Sequence, residues 1–319
     1  MASRYGTPLY LLAFDHRSSF ERGLFGATPP LSPEVRDGIV RAKQIVFEAN
    51  LLAVGSGAPR GRAGVLVDEE FGSAVARRAL EAGVPLAMPV ERSGQDEFDF
   101  QYGAHFAEHI EAFDPTFVKV LVRFNPEGDP DLNRRQTERL ARLSEWLRDR
   151  GRTFLFELLV PATTAQLDSF EGHQQDYDRH LRPRLVVQTV AWFQAGGVEP
   201  DIWKVEGLDS KEDASAVVRQ ARSGGRDHVV CIVLGRGADW DSVVRWLEVG
   251  ASVPGFNVDE MAETIMQFLR SDELRRKTGS IARQKVLSRH DLDAKAPEVA
   301  RVIEDALLMS ENGAVTHSV

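Results

Sequence analysis

Lys204 lies in a segment where a lysine is costly. The run 201–207, DIWKVEG, is short, rich in apolar residues and closed by glycine, which predicts a buried strand. Because side chains alternate along a strand, Ile202, Lys204 and Glu206 share one face. Burying an ammonium group costs free energy unless the lysine is paired, loses its proton or does chemistry. Lys204 is therefore a candidate Schiff-base nucleophile.

Lys119 is a second lysine in a predicted strand. In the run 117–123, FVKVLVR, alternation puts Lys119 and Arg123 on one face and three valines on the other. The valines suit a face that helices cover, so Lys119 is predicted to point away from them. A second cation near Lys204, together with desolvation, favours the uncharged amine, which can attack a carbonyl.

Glu157 completes a set that suits aldol chemistry. The alternation of the run 154–159, FLFELL, sends it inward among apolar neighbours, where a carboxyl group can shuttle protons. In class I aldol chemistry an amine forms an iminium with a ketone, and an acid–base group assists cleavage of the carbon–carbon bond. The alternative is a buried Lys–Glu ion pair that satisfies itself and carries no reaction.

The elements that must position these side chains alternate along the chain of 319 residues. Strand-like runs are each followed by a polar loop and an amphipathic segment, the pattern of a parallel sheet with covering helices. The number of such units favours an α/β fold of the (β/α)8 TIM barrel type over a doubly wound sheet. Strands are predicted at Leu9–Phe14, Val65–Asp68, Leu86–Val90, Phe117–Val122, Phe154–Val160, Ile202–Glu206 and Val229–Leu234, and helices at Pro33–Asn50, Ser73–Ala82, Asn133–Asp149 and Asp213–Ser223.

Charged side chains cluster at the C-terminal ends of the predicted strands, where barrel enzymes carry their active sites. They are Asp15, His16, Arg17, Asp68, Glu69, Glu70, Glu91, Arg92, Arg123, Glu157, Glu206 and Arg236. A charged residue at the end of one strand can be explained by exposure of that end to solvent. Charges at the end of nearly every strand predict a catalytic mouth.

Composition limits the classes of partner. The chain is 43% apolar and 27% charged, which is typical of a globular protein. Its net charge is −9 and its basic residues are scattered among acidic ones, which argues against nucleic-acid or membrane partners. The apolar run at the N-terminus is cut short by Asp15, so we expect no signal peptide and a cytoplasmic enzyme. The only cysteine, Cys231, is expected to be a buried small hydrophobe.

Five runs of the sequence resemble one family of class I aldolase-like barrels. They are 11–17 (LLAFDHR), 67–72 (VDEEFG), 157–162 (ELLVPA), 203–207 (WKVEG) and 233–239 (VLGRGAD). The family is the domain fused to the sugar kinase of bacterial myo-inositol catabolism. It is similar in turn to the tagatose-bisphosphate and sulfosugar-phosphate aldolases of class I. The resemblance covers about residues 5–256.

The resemblance implies a Schiff base at Lys204 and proton transfer by Glu157, with Asp15, Glu91 and Lys119 around them and no cofactor. For the inositol-pathway members, the implied reaction is retro-aldol cleavage of a 2-deoxy-5-keto-gluconate 6-phosphate. The products are dihydroxyacetone phosphate and malonate semialdehyde. The residues that we predict to bind substrate, from these motifs and the strand ends, are Glu91, Arg17, Asp68, Arg123, Glu206, Gly235 and Arg236.

The sequence departs from the family after Phe256. Ala262-Glu263 stands where the family has a Gly-Arg pair that helps hold the substrate phosphate. The apolar spacing that follows Phe256 is helical, so the eighth strand is expected to be short, displaced or missing. We predict an aldolase-like barrel over residues 1–256, a helical extension packed on it over 257–311, and a disordered tail over 312–319.

The leading hypothesis is reversible aldol cleavage of a keto sugar or keto sugar phosphate through Lys204, without a metal or cofactor. One alternative is a metal-dependent barrel enzyme. Its candidate ligands are Asp15, His16, Asp68, Glu69 and Glu157, whereas the i, i+4 pair His105 and His109 is expected on the surface of an outer helix. The other alternative is a non-catalytic barrel that acts as a binding or assembly partner. Exposed apolar helix faces in the extension also leave a homo-oligomer open.

Overall fold

The computed structural model describes residues 10–55, 63–235 and 238–256. All of them belong to the first of the two units into which the chain divides, Met1–Ala262. Arg236, the segment predicted as a helical extension and the predicted tail lie outside the described residues, and so does any continuation of an eighth strand.

In the described residues, seven parallel strands pair in chain order, each with the next. The strands are β1 (Tyr10–Ala13), β2 (Ala63–Leu66), β3 (Leu86–Pro89), β4 (Phe117–Arg123), β5 (Thr153–Leu159), β6 (Ile202–Glu206) and β7 (Val230–Leu234). The helices are α1 (Pro33–Gly55), α2 (Glu69–Glu81), α3 (Phe106–Phe113), α4 (Pro130–Asp149), α5 (Thr164–Ser169), α6 (Gln174–His180), α7 (Arg182–Ala195), α8 (Lys211–Ala221) and α9 (Trp240–Ala251). None of these helices has the length and apolar character needed to span a membrane.

This alternation confirms the predicted α/β fold of the barrel type. At least one helix lies between each strand and the next, as parallel neighbours require. After α9 the chain returns to the edge of β7, where Phe256 forms a parallel bridge with Cys231. The Cys231 N–H donates a hydrogen bond to the Gly255 carbonyl at 2.9 Å. The described residues end at this bridge, which lies where an eighth strand would begin.

Alternating side chains give β4, β5 and β6 an inner and an outer face, as the sequence predicts. On the outer face, Phe156 and Trp203 are fully buried against Phe193 of α7, with ring centroids 5.0 Å and 6.4 Å away respectively. The inner face carries a layer of apolar side chains. Its members are Leu11, Leu66, Ala87, Phe117, Leu155 and Ile202.

Cys231 on β7 is buried, as predicted. Burial raises the pKa of its thiol to about 12. The side chain therefore stays an uncharged thiol near neutral pH and packs as a small hydrophobe.

Polar side chains cap the starts of several helices at the end of the sheet where the strands finish. Asp68 accepts a hydrogen bond from the Phe71 N–H at 2.9 Å and starts α2. Thr163 and Gln166 form a reciprocal capping box at the start of α5. Such caps satisfy N–H groups that have no partner within the helix, so they fix where each loop meets its helix.

Gly207→Ala should destabilise the chain by roughly 1–3 kcal/mol, because a new methyl group would overpack the joint between β6 and α9. A Cβ at this position would lie 1.9 Å from the Trp246 ring. Trp246 is itself held by a 2.8 Å hydrogen bond to Asp209. Gly23→Ala is the control, since nothing lies within 4 Å of a Cβ there. Equal midpoints of urea unfolding for the two variants would contradict the prediction.

Candidate active site

The inner face becomes charged just beyond its apolar layer. Lys119 on β4, Glu157 on β5 and Lys204 on β6 each lie two residues after a member of that layer, and so on the same face. Glu157 and Lys204 are register partners on neighbouring strands. Asp15 and Glu91 join them from just beyond the ends of β1 and β3. Five different strands or their ends therefore contribute to one cluster.

The ammonium group of Lys119 is surrounded by carboxylates. Its Nζ lies 3.0 Å from Asp15 Oδ2, 3.1 Å from Glu91 Oε1 and 3.3 Å from Glu157 Oε2. The Lys119 side chain is only 2% exposed. Burial by itself lowers the pKa of Lys119, but the three carboxylates outweigh it and raise the pKa above its ordinary value. The Lys119 ammonium therefore stays charged near neutral pH.

Lys204 has a different environment although it lies beside the same carboxylate. Its Nζ is 3.2 Å from Glu157 Oε2, the oxygen that also contacts Lys119. Its side chain is 17% exposed. Glu157 thus bridges a fully buried lysine and a lysine whose side chain is partly exposed.

The two acids beyond the strand ends respond differently to burial. Burial favours the protonated form of Asp15, but Lys119 outweighs it and, with a smaller contribution from Lys204, holds the pKa below its ordinary value. For Glu91, burial prevails over Lys119 and Arg17 and raises the pKa. One oxygen of Glu91, Oε2, is buried with no hydrogen-bond partner, which is consistent with the cost of ionising this group.

Arg17 fixes the backbone and the side chain of Glu91 together. Its Nη1 donates to the Glu91 carbonyl at 2.9 Å, and its Nη2 donates to Glu91 Oε1 at 3.3 Å. Both side chains are buried. Arg17, predicted to bind substrate, therefore has contacts that join the segment after β1 to the segment after β3.

The structure brings six of the predicted site residues into this cluster. They are Asp15, Arg17, Glu91, Lys119, Glu157 and Lys204. Together they contribute three basic and three acidic side chains. The cluster therefore pairs buried side chains of opposite charge type and leaves the Lys204 side chain partly exposed.

Three predicted substrate-binding residues have described contacts elsewhere. Asp68 is buried and pairs with Lys43 of α1. Glu206 is buried and accepts a hydrogen bond from the Val160 N–H at 2.9 Å. Arg123 donates to the Gln95 carbonyl at 2.9 Å. Position at the end of a strand did not predict these contacts, because the direction of each side chain there depends on the loop.

The remaining two predicted binding residues lie after β7. Gly235 accepts a hydrogen bond from the Ala238 N–H through its carbonyl at 2.9 Å. Arg236 lies outside the described residues, so its role stays a prediction.

Lys43 is the residue that sequence reasoning missed. It lies on the buried face of α1 between Ile39 and Phe47, and all three side chains are completely buried. The signal was available: a lysine at i+4 between two apolar residues interrupts an apolar stripe of helical period. Its ammonium group donates to the carbonyls of Phe14 and His16 on either side of the position of Asp15.

The paired histidines do not join the cluster. His105 is exposed and contacts Glu108 of its own helix segment. His109 lies 2.8 Å from a carboxylate oxygen of Glu69, and its ring stacks on Tyr102 with 3.5 Å between centroids. It is therefore half-buried in a side-chain cluster, where the sequence predicted a solvated surface. Within residues 10–55, 63–235 and 238–256, no group of three or more His, Cys, Asp or Glu side chains is arranged to hold a metal ion.

Comparison with known proteins gives a family and a set of similar folds. A family model described as "Uncharacterized protein conserved in bacteria (DUF2090)" matches residues 2–265. A search of curated proteins found no match.

Solved structures with a similar fold include class I aldolases. A Schiff-base-forming fructose-1,6-bisphosphate aldolase is 14% identical, with a TM-score of 0.50 over 80% of this chain and 86% of its own. A structural genomics target from Corynebacterium glutamicum is 16% identical, with a TM-score of 0.51 over 78% of this chain and 76% of its own. A fructose-bisphosphate aldolase from Slackia heliotrinireducens is 11% identical, with a TM-score of 0.49 over 78% of this chain and 72% of its own. At these identities the similarity shows the fold alone.

Asp15→Asn should lower the free energy of unfolding by roughly 1–3 kcal/mol at neutral pH, because the buried Lys119 ammonium loses the negative charge of one of its hydrogen-bond partners. The pKa of Asp15 in the folded chain lies below its ordinary 3.8. Its stabilisation is therefore present above about pH 4 and is lost as the pH falls through the folded pKa. Urea unfolding at a series of pH values should show wild type and variant converging towards acid.

Asp37→Asn, on the exposed side of α1, is the control for this prediction and should change little at any pH. A difference between wild type and Asp15→Asn that stays constant down to acid pH would show that Lys119 does not hold Asp15 ionised.

Proposed function

Because the chain belongs to the DUF2090 family of proteins conserved in bacteria and has an aldolase-like barrel fold, we propose that it is a class I aldolase. Lys204 forms the Schiff base, and Glu157 transfers protons. Lys119, Asp15 and Glu91 hold Glu157 and the substrate in place. The substrate is a keto sugar or a keto sugar phosphate.

The contrast between the two lysines of the inner face carries this proposal. Lys119 meets three carboxylates and is 2% exposed, so it stays charged and out of reach. Lys204 meets one carboxylate and is 17% exposed. A nucleophilic amine needs a neighbouring base and access to a carbonyl carbon, and the Glu157 contact and partial exposure of Lys204 support this role.

Schiff-base formation uses the bridging position of Glu157. Glu157 accepts a proton from the Lys204 ammonium, and the free amine adds to the substrate ketone to give a carbinolamine. Glu157 then returns the proton to the carbinolamine hydroxyl, which leaves as water and yields the iminium. Lys119 keeps its charge through these steps and lies 3.3 Å from Glu157 Oε2, so it holds the Glu157 carboxyl group in position.

Carbon–carbon cleavage follows from the iminium. Glu157, again a carboxylate, takes the proton of the hydroxyl group that lies β to the iminium carbon. The bond between the α and β carbons breaks, and the β carbon leaves as an aldehyde. The electron pair of the broken bond moves towards the iminium nitrogen, which gives an enamine. Glu157 gives the proton that it took from the hydroxyl group to the enamine carbon, which restores an iminium and the Glu157 carboxylate. Hydrolysis of this iminium with one water releases the second product and restores the Lys204 ammonium.

Resemblance to the inositol-pathway domain supports a narrower substrate. Under that resemblance the chain cleaves a 2-deoxy-5-keto-gluconate 6-phosphate to dihydroxyacetone phosphate and malonate semialdehyde. Arg236 and the backbone near Gly235 would then hold the phosphate, since the family's Gly-Arg pair is replaced by Ala262-Glu263.

A non-catalytic barrel is the second candidate, and one observation favours it. Each basic side chain of the cluster contacts at least one of its carboxyl groups, so the cluster can exist as a structural ion-pair network. The two candidates differ in whether Lys204 reacts with a carbonyl compound.

Sodium borohydride should trap a covalent adduct at Lys204 in the presence of dihydroxyacetone phosphate or fructose 1,6-bisphosphate. Intact-protein mass and peptide mapping would identify the site. Lys204→Met should lose the adduct and the cleavage activity, while Lys211→Met, an exposed lysine on α8, should keep both. Adduct formation at other lysines alone, or none across a panel of ketoses, would favour the non-catalytic candidate.

Glu157→Gln should lower kcat by about 10²–10⁴-fold, the usual contribution of a positioned acid–base group. Glutamine keeps the shape of the side chain but cannot carry the proton between Lys204 and the substrate. Single-turnover assays would separate slow adduct formation from slow cleavage. Glu108→Gln, on the exposed face of α3, is the matched control. Unchanged turnover in Glu157→Gln would remove Glu157 from the mechanism.

A further inference from the structure

Lys43 is a completely buried lysine outside the cluster described above. It lies on α1 in the apolar stripe with Ile39 and Phe47, and its side chain has 0% exposure. An ammonium group can be buried there only if all its hydrogen-bonding capacity is met. The contacts of Lys43 therefore indicate its role.

Three acceptors use the three donors of the Lys43 ammonium. Its Nζ donates to the Phe14 carbonyl at 2.6 Å, to the His16 carbonyl at 2.9 Å and to Asp68 Oδ1. The Phe20 ring lies against the same group, with its centroid 5.1 Å from Nζ. The charge is paired by Asp68, and no donor is left for a substrate.

The two carbonyls flank Asp15. β1 ends at Ala13, and the last sheet-like bond of this segment runs from the Phe14 N–H to the Leu66 carbonyl at 2.9 Å. Beyond that point, Lys43 binds the backbone on both sides of Asp15. The Asp15 side chain then lies 3.0 Å from Lys119.

Asp68 connects this anchor to the rest of the barrel. One of its oxygens pairs with Lys43, and the other accepts a hydrogen bond from the Phe71 N–H at the start of α2. The Lys43–Asp68 pair therefore joins α1, the segment after β1 and the start of α2. None of the contacts of Lys43 reaches Lys204 or Glu157 directly.

We propose that Lys43 is a positioning residue of the Lys204 site, which acts by setting Asp15 against Lys119. The proposal rests on the aldolase function proposed above. Without the anchor, the Asp15 segment is free to move, and Lys119 loses one of its three carboxylates. Lys119 then draws Glu157 towards itself and away from Lys204, and the reacting groups lose their geometry. A displacement of about 1 Å in such a site can cost 10²-fold in rate.

The test is a double-mutant cycle in the full-length protein. Lys43→Met with Asp68→Asn removes the pair without leaving a buried charge, and the new asparagine side chain can still cap α2. This change should lower kcat for ketose cleavage by about 10²-fold with a much smaller effect on KM. In an Asp15→Asn background the same change should not lower kcat further, because the Lys43–Asp68 pair acts on the site only through the position of Asp15.

Two kinetic results would overturn the proposal. One is a folded double variant with wild-type kcat. The other is a loss of kcat that is as large in the Asp15→Asn background as in the wild-type background, which would indicate a general structural role. Lys211→Met, the same substitution at an exposed site, controls for loss of charge. If the double variant does not fold, Asp68→Asn alone keeps the cap and should give a smaller kcat loss that also disappears in the Asp15→Asn background.

A crystal structure of the double variant separates this proposal from the proposed function. Asp15 should move out of hydrogen-bond distance of Lys119; an unchanged Asp15–Lys119 contact would overturn the positioning role whatever the activity. Absence of borohydride trapping in the wild-type protein would instead contradict the aldolase function, and the position of Asp15 would still decide the role of Lys43.

Discussion

The contact of the Lys119 ammonium with three carboxylates is the interaction on which the inner face of this barrel depends. Asp15, Glu91 and Glu157 come from different strands, and like charges this close cannot all stay ionised without a cation between them. The buried ammonium supplies that cation and is in turn held charged by the three acids. The cost of burying each group is thus offset only when the strand ends are in their native places.

The number of acceptors around each ammonium group distinguishes the two buried lysines, Lys43 and Lys119, from Lys204, the lysine proposed to react. Lys119 and Lys43 are both buried, and each ammonium group contacts three acceptors, so neither is open to solvent. Lys204 meets one carboxylate and keeps partial exposure. Lys119 contacts Glu157, Lys43 binds the backbone on both sides of Asp15, and Lys204 is the amine that the proposed mechanism uses.

Local periodicity was sufficient to predict much of the fold and the residues at the centre of the site. The strand period of two placed Lys119, Glu157 and Lys204 on one face, and the structure confirms this through their shared contacts. It was insufficient at the strand ends, where Asp68 and Glu206 turn to partners on helices or in loops. No periodic rule applies there, because the loop decides the direction of each side chain.

The sequence by itself determined the α/β alternation, the seven strands and the inward direction of the charged residues within them, since these follow from short-range patterns of apolar and polar side chains. Only the tertiary structure decided which charges meet. The Lys119–Asp15 contact joins residues 104 positions apart, and Lys43 binds the segment around Asp15 from a helix. Burial and the number of partners, which distinguish Lys204 from Lys119, arise only when all the strand ends converge, because each depends on groups far apart in the chain.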